Sequence, residues 1–152
     1  MKMEQSFERI IHQGNLIALI IRCNYHRPDI TFFTPNDFSQ QLAYMNRPKG
    51  HIIQPHVHNP VPREVVYTQE VLFIKSGRVR VDFFDDGHSY LESRILLQGD
   101  VILLASGGHG FEMLENAEII EVKQGPYAGE EDKTKFDGIS SEMVTIPGTD
   151  DL

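Results

Sequence analysis

From His51 to Gln124 the chain is cut into short runs in which apolar and polar residues alternate, with turn residues between them. Alternation with period two places one set of side chains on one face of a strand. Val65 to Ser76 is one such run. In Arg78 to Phe84, Val79, Val81 and Phe83 alternate with Arg78, Arg80 and Asp82. Asp85-Asp86-Gly87 predicts a hairpin turn, because Asp-Gly tolerates positive φ. His88 to Gln98, Val101 to Ala105, Phe111 to Leu114 and Glu118 to Lys123 complete the set, with Gly99-Asp100 turning the chain before Val101. Many short strands without helix–strand alternation predict an antiparallel sandwich or barrel.

The flanks read differently. Residues 15–23 (NLIALIIRC) form an Ile-rich apolar run, expected as a buried strand, and 30–34 (ITFFT) form a second. Pro28 marks a turn between them. Asn36 is a suitable N-cap, and Phe38, Leu42 and Met45 share one helical face, so a brief helix is expected up to Met45. Arg47-Pro48-Lys49-Gly50 ends it. After Gly125-Pro126 the alternation dissolves into an irregular acidic tail, with one short strand expected at Met143 to Ile146. The expected organisation is one structural domain: an N-terminal extension over 1–49 packed on a core over 50–125, then the tail over 126–152.

Composition narrows the function classes. The chain has 152 residues, 40% of them hydrophobic, which suits one domain with a real core. Its formal net charge is −8, with no long Lys/Arg run, so nucleic-acid phosphates are not expected as partners. The tail carries −5 of that charge and residues 1–125 only −3, so an anionic substrate is not excluded. Leu16 to Ile21 is far too short to span a bilayer, and the polar start from Met1 to Asn15 does not resemble a signal peptide. A single cysteine, Cys23, cannot form an intrachain disulfide. A cytoplasmic location is therefore expected, with Cys23 as a small buried hydrophobe. A homodimer is expected from the frequency of two-fold assemblies, with a strand such as 16–23 pairing across it.

One constellation carries chemistry. His56-Val57-His58 sits in an extended segment, where side chains two apart share a face, so both imidazoles can aim at one ion. Glu70 opens an apolar strand, with its carboxylate directed opposite to Val71 and Phe73. Such a carboxylate is costly to bury unless a cation meets it. His109 follows Gly107-Gly108. Three imidazoles and one carboxylate suit Fe, Mn, Ni, Cu or Zn.

The spacing from Gly50 through His56-x-His58 and Glu70 to Gly77 resembles the first motif of the cupins. Gly99 to Gly107 and His109 resembles the second. The resemblance covers roughly residues 50–125. It implies an all-β fold: a cupin-type jelly-roll (double-stranded β-helix) barrel, here with a short N-terminal helix and extension. It also implies one divalent metal ion (Fe, Mn, Ni or Zn) held by His56, His58, Glu70 and His109. Eleven residues separate His58 from Glu70, more than the family pattern has. Glu64 is a rival ligand of the same strand parity, but Pro60 and Pro62 read as an inserted loop that favours Glu70. Ala105 and Met113 replace the usual Pro and Asn, and His109 comes one residue early. The stretches Gly107 to Glu112 and Lys123 to Tyr127 are similar to a subgroup of bacterial cupins associated with surface-polysaccharide gene neighbourhoods, which implies a role in carbohydrate biosynthesis.

Arg63, Tyr67, Arg78, Arg80, His88, Tyr90 and Lys123 are candidates for the mouth of the cavity, although a solvated outer face suits most of them. An inward Arg80 or Lys123 would favour an anionic group. Tyr67 and His88 are the candidate catalytic acid/base residues, by residue type. Three functions follow. The first is a metal-dependent enzyme (isomerase or epimerase, lyase, or dioxygenase) acting on a small oxygenated substrate such as a sugar or carboxylic acid. The second is a non-catalytic cupin that binds a small molecule or sugar. The third is a structural metal site only.

Overall fold

The computed structural model describes residues 6–148. Met1 to Gln5 of the expected extension, and Asp150 and Asp151 of the tail, lie outside the described residues. The described residues divide into two compact units: one made of 6–25 and 68–148, the other of 26–67.

The first unit holds a five-stranded and a three-stranded antiparallel sheet. The first sheet comprises β1 (Phe7–His12), β2 (Asn15–Ile21), β5 (Glu70–Ser76), β8 (Val101–Leu104) and β10 (Glu118–Lys123), in the order β1-β2-β8-β5-β10. The second comprises β6 (Arg78–Phe84), β7 (Tyr90–Leu97) and β9 (Gly108–Met113), in the order β7-β6-β9. Ile17, Ile20, Leu72, Ile74, Ile102 and Leu104 of the first sheet pack with Val79, Val81, Phe83 and Leu96 of the second. The two sheets thus enclose one apolar core, as a β-sandwich does. Each buried Leu, Ile, Val or Phe there contributes on the order of 1.5–3 kcal/mol. No closed barrel is formed among the described residues.

The chain changes sheet at short turns. Between β5 and β6 it does so at Gly77, whose φ is +85°. A Cβ there would meet the Asn116 carbonyl oxygen and the Ala117 backbone, so only glycine fits. Between β7 and β8 the chain returns at Gly99-Asp100. The Asp100 side chain is 2% exposed. Its Oδ1 accepts from the Cys23 amide at 2.9 Å. Its Oδ2 accepts from the Leu97 amide at 3.0 Å and from Arg22 Nη1 at 2.8 Å. Arg22 also donates to the Ile95 carbonyl and to Glu8, and Glu8 accepts from Arg94. This network ties β1 and the end of β2 to β7.

The second unit holds the antiparallel pair β3 (Asp29–Phe32) and β4 (Ala43–Asn46). The short N-terminal helix expected up to Met45 is not formed. Tertiary pairing overrides the local pattern: Ala43 to Asn46 pair in register with Asp29 to Phe32. The intervening turn is held by side chains. Gln41 Nε2 donates to the Pro35 and Phe38 carbonyls, and Thr34 Oγ1 accepts the Leu42 amide. Residues 51–66 have no regular secondary structure.

Other expectations need adjustment. The run from Val65 becomes a strand only at Glu70. In the Asp85-Asp86-Gly87 turn the residue at positive φ is His88, at +70°. Cys23 is exposed rather than buried, because β2 ends at Ile21 and the chain turns, with the Tyr25 amide bonded to the Arg22 carbonyl. Met143 to Ile146 forms no strand; Ser141–Met143 is a 3-10 turn, and Gly129–Asp132 is another. β1 was not foreseen. Glu8, Arg9 and His12 mask its one deeply buried residue, Ile10.

Two outcomes are expected in urea unfolding. Asp100→Ala lowers stability by about 3–5 kcal/mol, since it leaves two backbone amides unmet and takes one charged partner from Arg22, whereas Glu118→Ala, at an exposed pair, leaves the midpoint in place. Burial raises the Glu8 carboxyl, but hydrogen bonds and charge from Arg94 and Arg22 outweigh it and hold it below its ordinary value of 4.5. A depressed carboxyl stabilises the fold above its unfolded value and stops doing so as pH falls through the folded one. Glu8→Gln is therefore less stable than the wild type at pH 7, and the gap closes progressively below pH 4.5.

Candidate functional site

β5 buries Leu72 and Ile74 toward the core, and Glu70 has the same parity. Its side chain is 14% exposed. Across the sheet, Lys123 of β10 is the register partner of Glu70. On the facing sheet, β9 places His109 opposite the buried Phe83. These three side chains meet where β5, β9 and β10 converge. Glu70 Oε2 lies 3.4 Å from His109 Nε2, and Oε1 lies 3.2 Å from Lys123 Nζ. Lys123 Nζ also contacts Glu121 Oε1 at 3.1 Å. The His109 hydrogen bond is the main force holding the Glu70 carboxyl below its ordinary value. Burial opposes it, and Lys123 adds to it. The cation that a carboxylate in an apolar strand requires is thus supplied here by Lys123, with His109 beside it.

This cluster lines an open cavity of ≈ 730 Å³ in the first unit. The cavity is lined by five acids (Glu70, Asp85, Asp86, Glu121 and Asp132) and three lysines (Lys123, Lys133 and Lys135). Its carboxylates outnumber its lysines, which suits a cation better than a bare anion.

One wall comes from the tail, which the sequence reading left irregular up to Met143. Asp132 Oδ1 accepts from Thr68 Oγ1 at 2.6 Å. Phe136 stacks on His88 with ring centroids 4.1 Å apart, and meets Phe84 edge-on at 5.1 Å. Gly108 makes room for this ring, because a Cβ there would come within 2.9 Å of it. Farther along, Thr145 accepts the Ser93 amide through its carbonyl and donates its own amide to the Tyr90 hydroxyl. The only sequence signal for this strap was Phe136, an aromatic residue within an acidic stretch.

The remaining candidates are placed as follows. His88 lines the cavity. Tyr90 binds Ser93 and Thr145. Arg80 does not face the core; it is buried on the other side of β6, in a two-point pair with Asp82 and a contact to Glu112. Arg78 opens β6 and is exposed. His56, His58, Arg63, Glu64 and Tyr67 belong to the second unit and are exposed. The irregular backbone around Glu64 removes the strand parity it would share with Glu70. The rings of His56 and His58 lie 5.2 Å apart. His56 Nδ1 lies 2.9 Å from the Gln54 carbonyl, so it carries the proton and Nε2 keeps its lone pair. That is the arrangement a metal-binding imidazole uses. Taken by itself, neither unit gathers three His, Cys, Asp or Glu side chains into a metal-holding group among the described residues.

Removing the stacked ring tests the wall. Phe136→Ala loses two aromatic contacts and is expected to destabilise the fold by about 1 kcal/mol. Limited proteolysis should then cut within 126–148 sooner than in the wild type while the sandwich resists. An unchanged cleavage rate would mean that Phe136 does not hold the strap.

Comparison with protein-family models, curated proteins and solved structures returns no match.

Proposed function

We propose that the chain is a divalent-metal-binding protein of the cupin type, its ligands His56, His58, Glu70 and His109. In this reading the sheets form a jelly roll that encloses the site, and the open cavity admits a small oxygenated substrate, a sugar or a carboxylic acid. The observation that carries it is the Glu70–His109 contact on the lining of a 730 Å³ cavity. Three features add support. The carboxylates of the cavity lining outnumber its lysines. The His56 tautomer leaves Nε2 free to coordinate. The chain supplies the donor set N₃O, which suits Fe, Mn, Ni or Zn.

A metal with open positions acts as a Lewis acid or in redox chemistry. The chain's own residues then divide the remaining work. Glu70 is kept ionised by His109 and Lys123. Lys123, already shared between Glu70 and Glu121, offers a donor to a substrate oxygen. His88 is the acid/base candidate within the cavity, held in place by Phe136. The size and openness of the cavity favour a bound small molecule over a purely structural ion. The second reading, binding without turnover, rests on the scarcity of acid/base groups: of the two acid/base candidates named from the sequence, His88 alone is among the residues lining the cavity.

Metal analysis of the purified protein tests the site. Wild type is expected to hold about one ion per chain, and His56→Ala, His109→Ala and Glu70→Gln much less. Chelation should lower the melting temperature, and adding the metal back should restore it, because a ligand that binds only the folded state stabilises it. Equal metal content in all four proteins would overturn the reading.

A further inference from the structure

Among the described residues, β10 is the most exposed strand of the sandwich. Five of its six residues are exposed, with Ile120 at 53% and Val122 at 59%. It ends the five-stranded sheet and pairs only with β5. An uncovered edge of this kind is a template for another strand. β2, expected from the sequence to pair across a dimer, lies between β1 and β8 and has no free edge.

The backbone of β10 shows which residues face that edge. The Gln124 amide donates to the Gln69 carbonyl, and bonded and unbonded pairs alternate along an antiparallel ladder. The backbone groups of Val122 and Ile120 therefore also point to β5. Those of Ile119, Glu121 and Lys123 point to the open edge, where no strand meets them among the described residues. Side chains alternate with the same period. Glu121 and Lys123 lie on the face that lines the cavity. Ile120 and Val122 lie on the opposite face, beside Phe73, the register partner of Ile120, which is itself exposed. The edge thus carries opposite charges on one face and an apolar row on the other.

We propose that β10 pairs antiparallel with β10 of a second copy, about a two-fold axis at Val122, so that two five-stranded sheets become one. Charge selects both the partner and the register. With Val122 opposite itself, Glu121 of each copy lies opposite Lys123 of the other. These are residues whose backbone groups face the edge, so each charge pair is also a hydrogen-bonded pair. Within one copy the two side chains already meet at 3.1 Å, and the four together form one alternating cluster. Moving the axis to Glu121 or to Lys123 would oppose like charges. Moving it to Ile120 would set Glu121 against Ile119. On the other face Val122 meets Val122, with Ile120 of each copy on the diagonal, and the exposed row is withdrawn from water. A foreign strand would need the same order of Glu, apolar residue and Lys; the chain's own β10 carries it. A two-fold contact uses each edge once and closes on itself. The pairing stands apart from the metal reading, because it uses none of the four proposed ligands.

Cysteines at two positions read the register. In a Cys23→Ser background, Val122→Cys sets two thiols opposite each other in an unbonded pair, with Cα atoms about 4.5 Å apart. A disulfide spans that distance. Ile120→Cys sets its thiols about 14 Å apart along the strands, too far to bridge. Mild oxidation is expected to move most of the Val122→Cys protein to twice the chain mass on a non-reducing denaturing gel, and to leave Ile120→Cys at the chain mass. The wild type at about 100 μM is expected to sediment as a dimer. Val122→Glu, which opposes two carboxylates on the axis, is expected to sediment as a monomer with an unchanged circular dichroism spectrum. A monomeric wild type overturns the pairing and leaves the edge to a foreign chain. So does a Val122→Cys protein that stays at the chain mass, or one that links no more than Ile120→Cys. A folded Val122→Glu that remains dimeric places the contact elsewhere and overturns it too. If Val122→Glu does not fold, the two cysteine variants decide.

Discussion

The buried carboxylate of Asp100 is the constraint on which the sandwich depends. It sits where the chain leaves the three-stranded sheet for the five-stranded one, and it satisfies the Leu97 amide behind it and the Cys23 amide beyond β2. Through Arg22 it also reaches Glu8, and through Glu8, Arg94. A charge this buried is tolerated only when its lone pairs are all met. Meeting them fixes β8 between β2 and β5. The register of β5 against β8 follows, Glu70 opposite Leu104.

That register decides what the far end of the sheet can do. With Leu72 and Ile74 turned into the core, Glu70 must turn the same way, at the point where the core gives way to an open cavity. β10 then sets Lys123 beside it, and β9 brings His109 from the facing sheet. None of the three is close to another in sequence. Each arrives through the pairing of a different strand, and the polar cluster is as precise as the ladders that carry it.

The strands with clean alternation were legible in the sequence. Arg78 to Phe84 and Glu118 to Lys123 have the limits that their patterns imply, and Glu70 could be assigned its face from Val71 and Phe73 alone. What escaped was decided by partners distant in sequence. Phe38, Leu42 and Met45 have helical spacing, yet Ala43 to Asn46 pairs with β3 because a strand partner outweighs a weak local preference. β1 hides its apolar content behind charged residues that turn out to be the network around Arg22 and Arg94. The tail read as irregular and acidic with one short strand at Met143 to Ile146, and nothing in its spacing signals that Phe136 stacks on His88 or that Thr145 bonds to β7. At the site, Glu70, His109 and Lys123 were each named from the sequence, but the ammonium as the carboxylate's immediate companion follows only from the register of β10.

The strap has a thermodynamic corollary. The same segment supplies one wall of the cavity through Asp132 to Phe136 and bonds through Thr145 to Ser93 of β7 and to the Tyr90 hydroxyl. Linkage is reciprocal: whatever a cavity guest gains by contacting the docked strap, it returns as tighter docking of the strap. Occupancy of the cavity and the bonding of Thr145 to Ser93 and Tyr90 thus belong to a single equilibrium. The C-terminal segment is its shared coordinate.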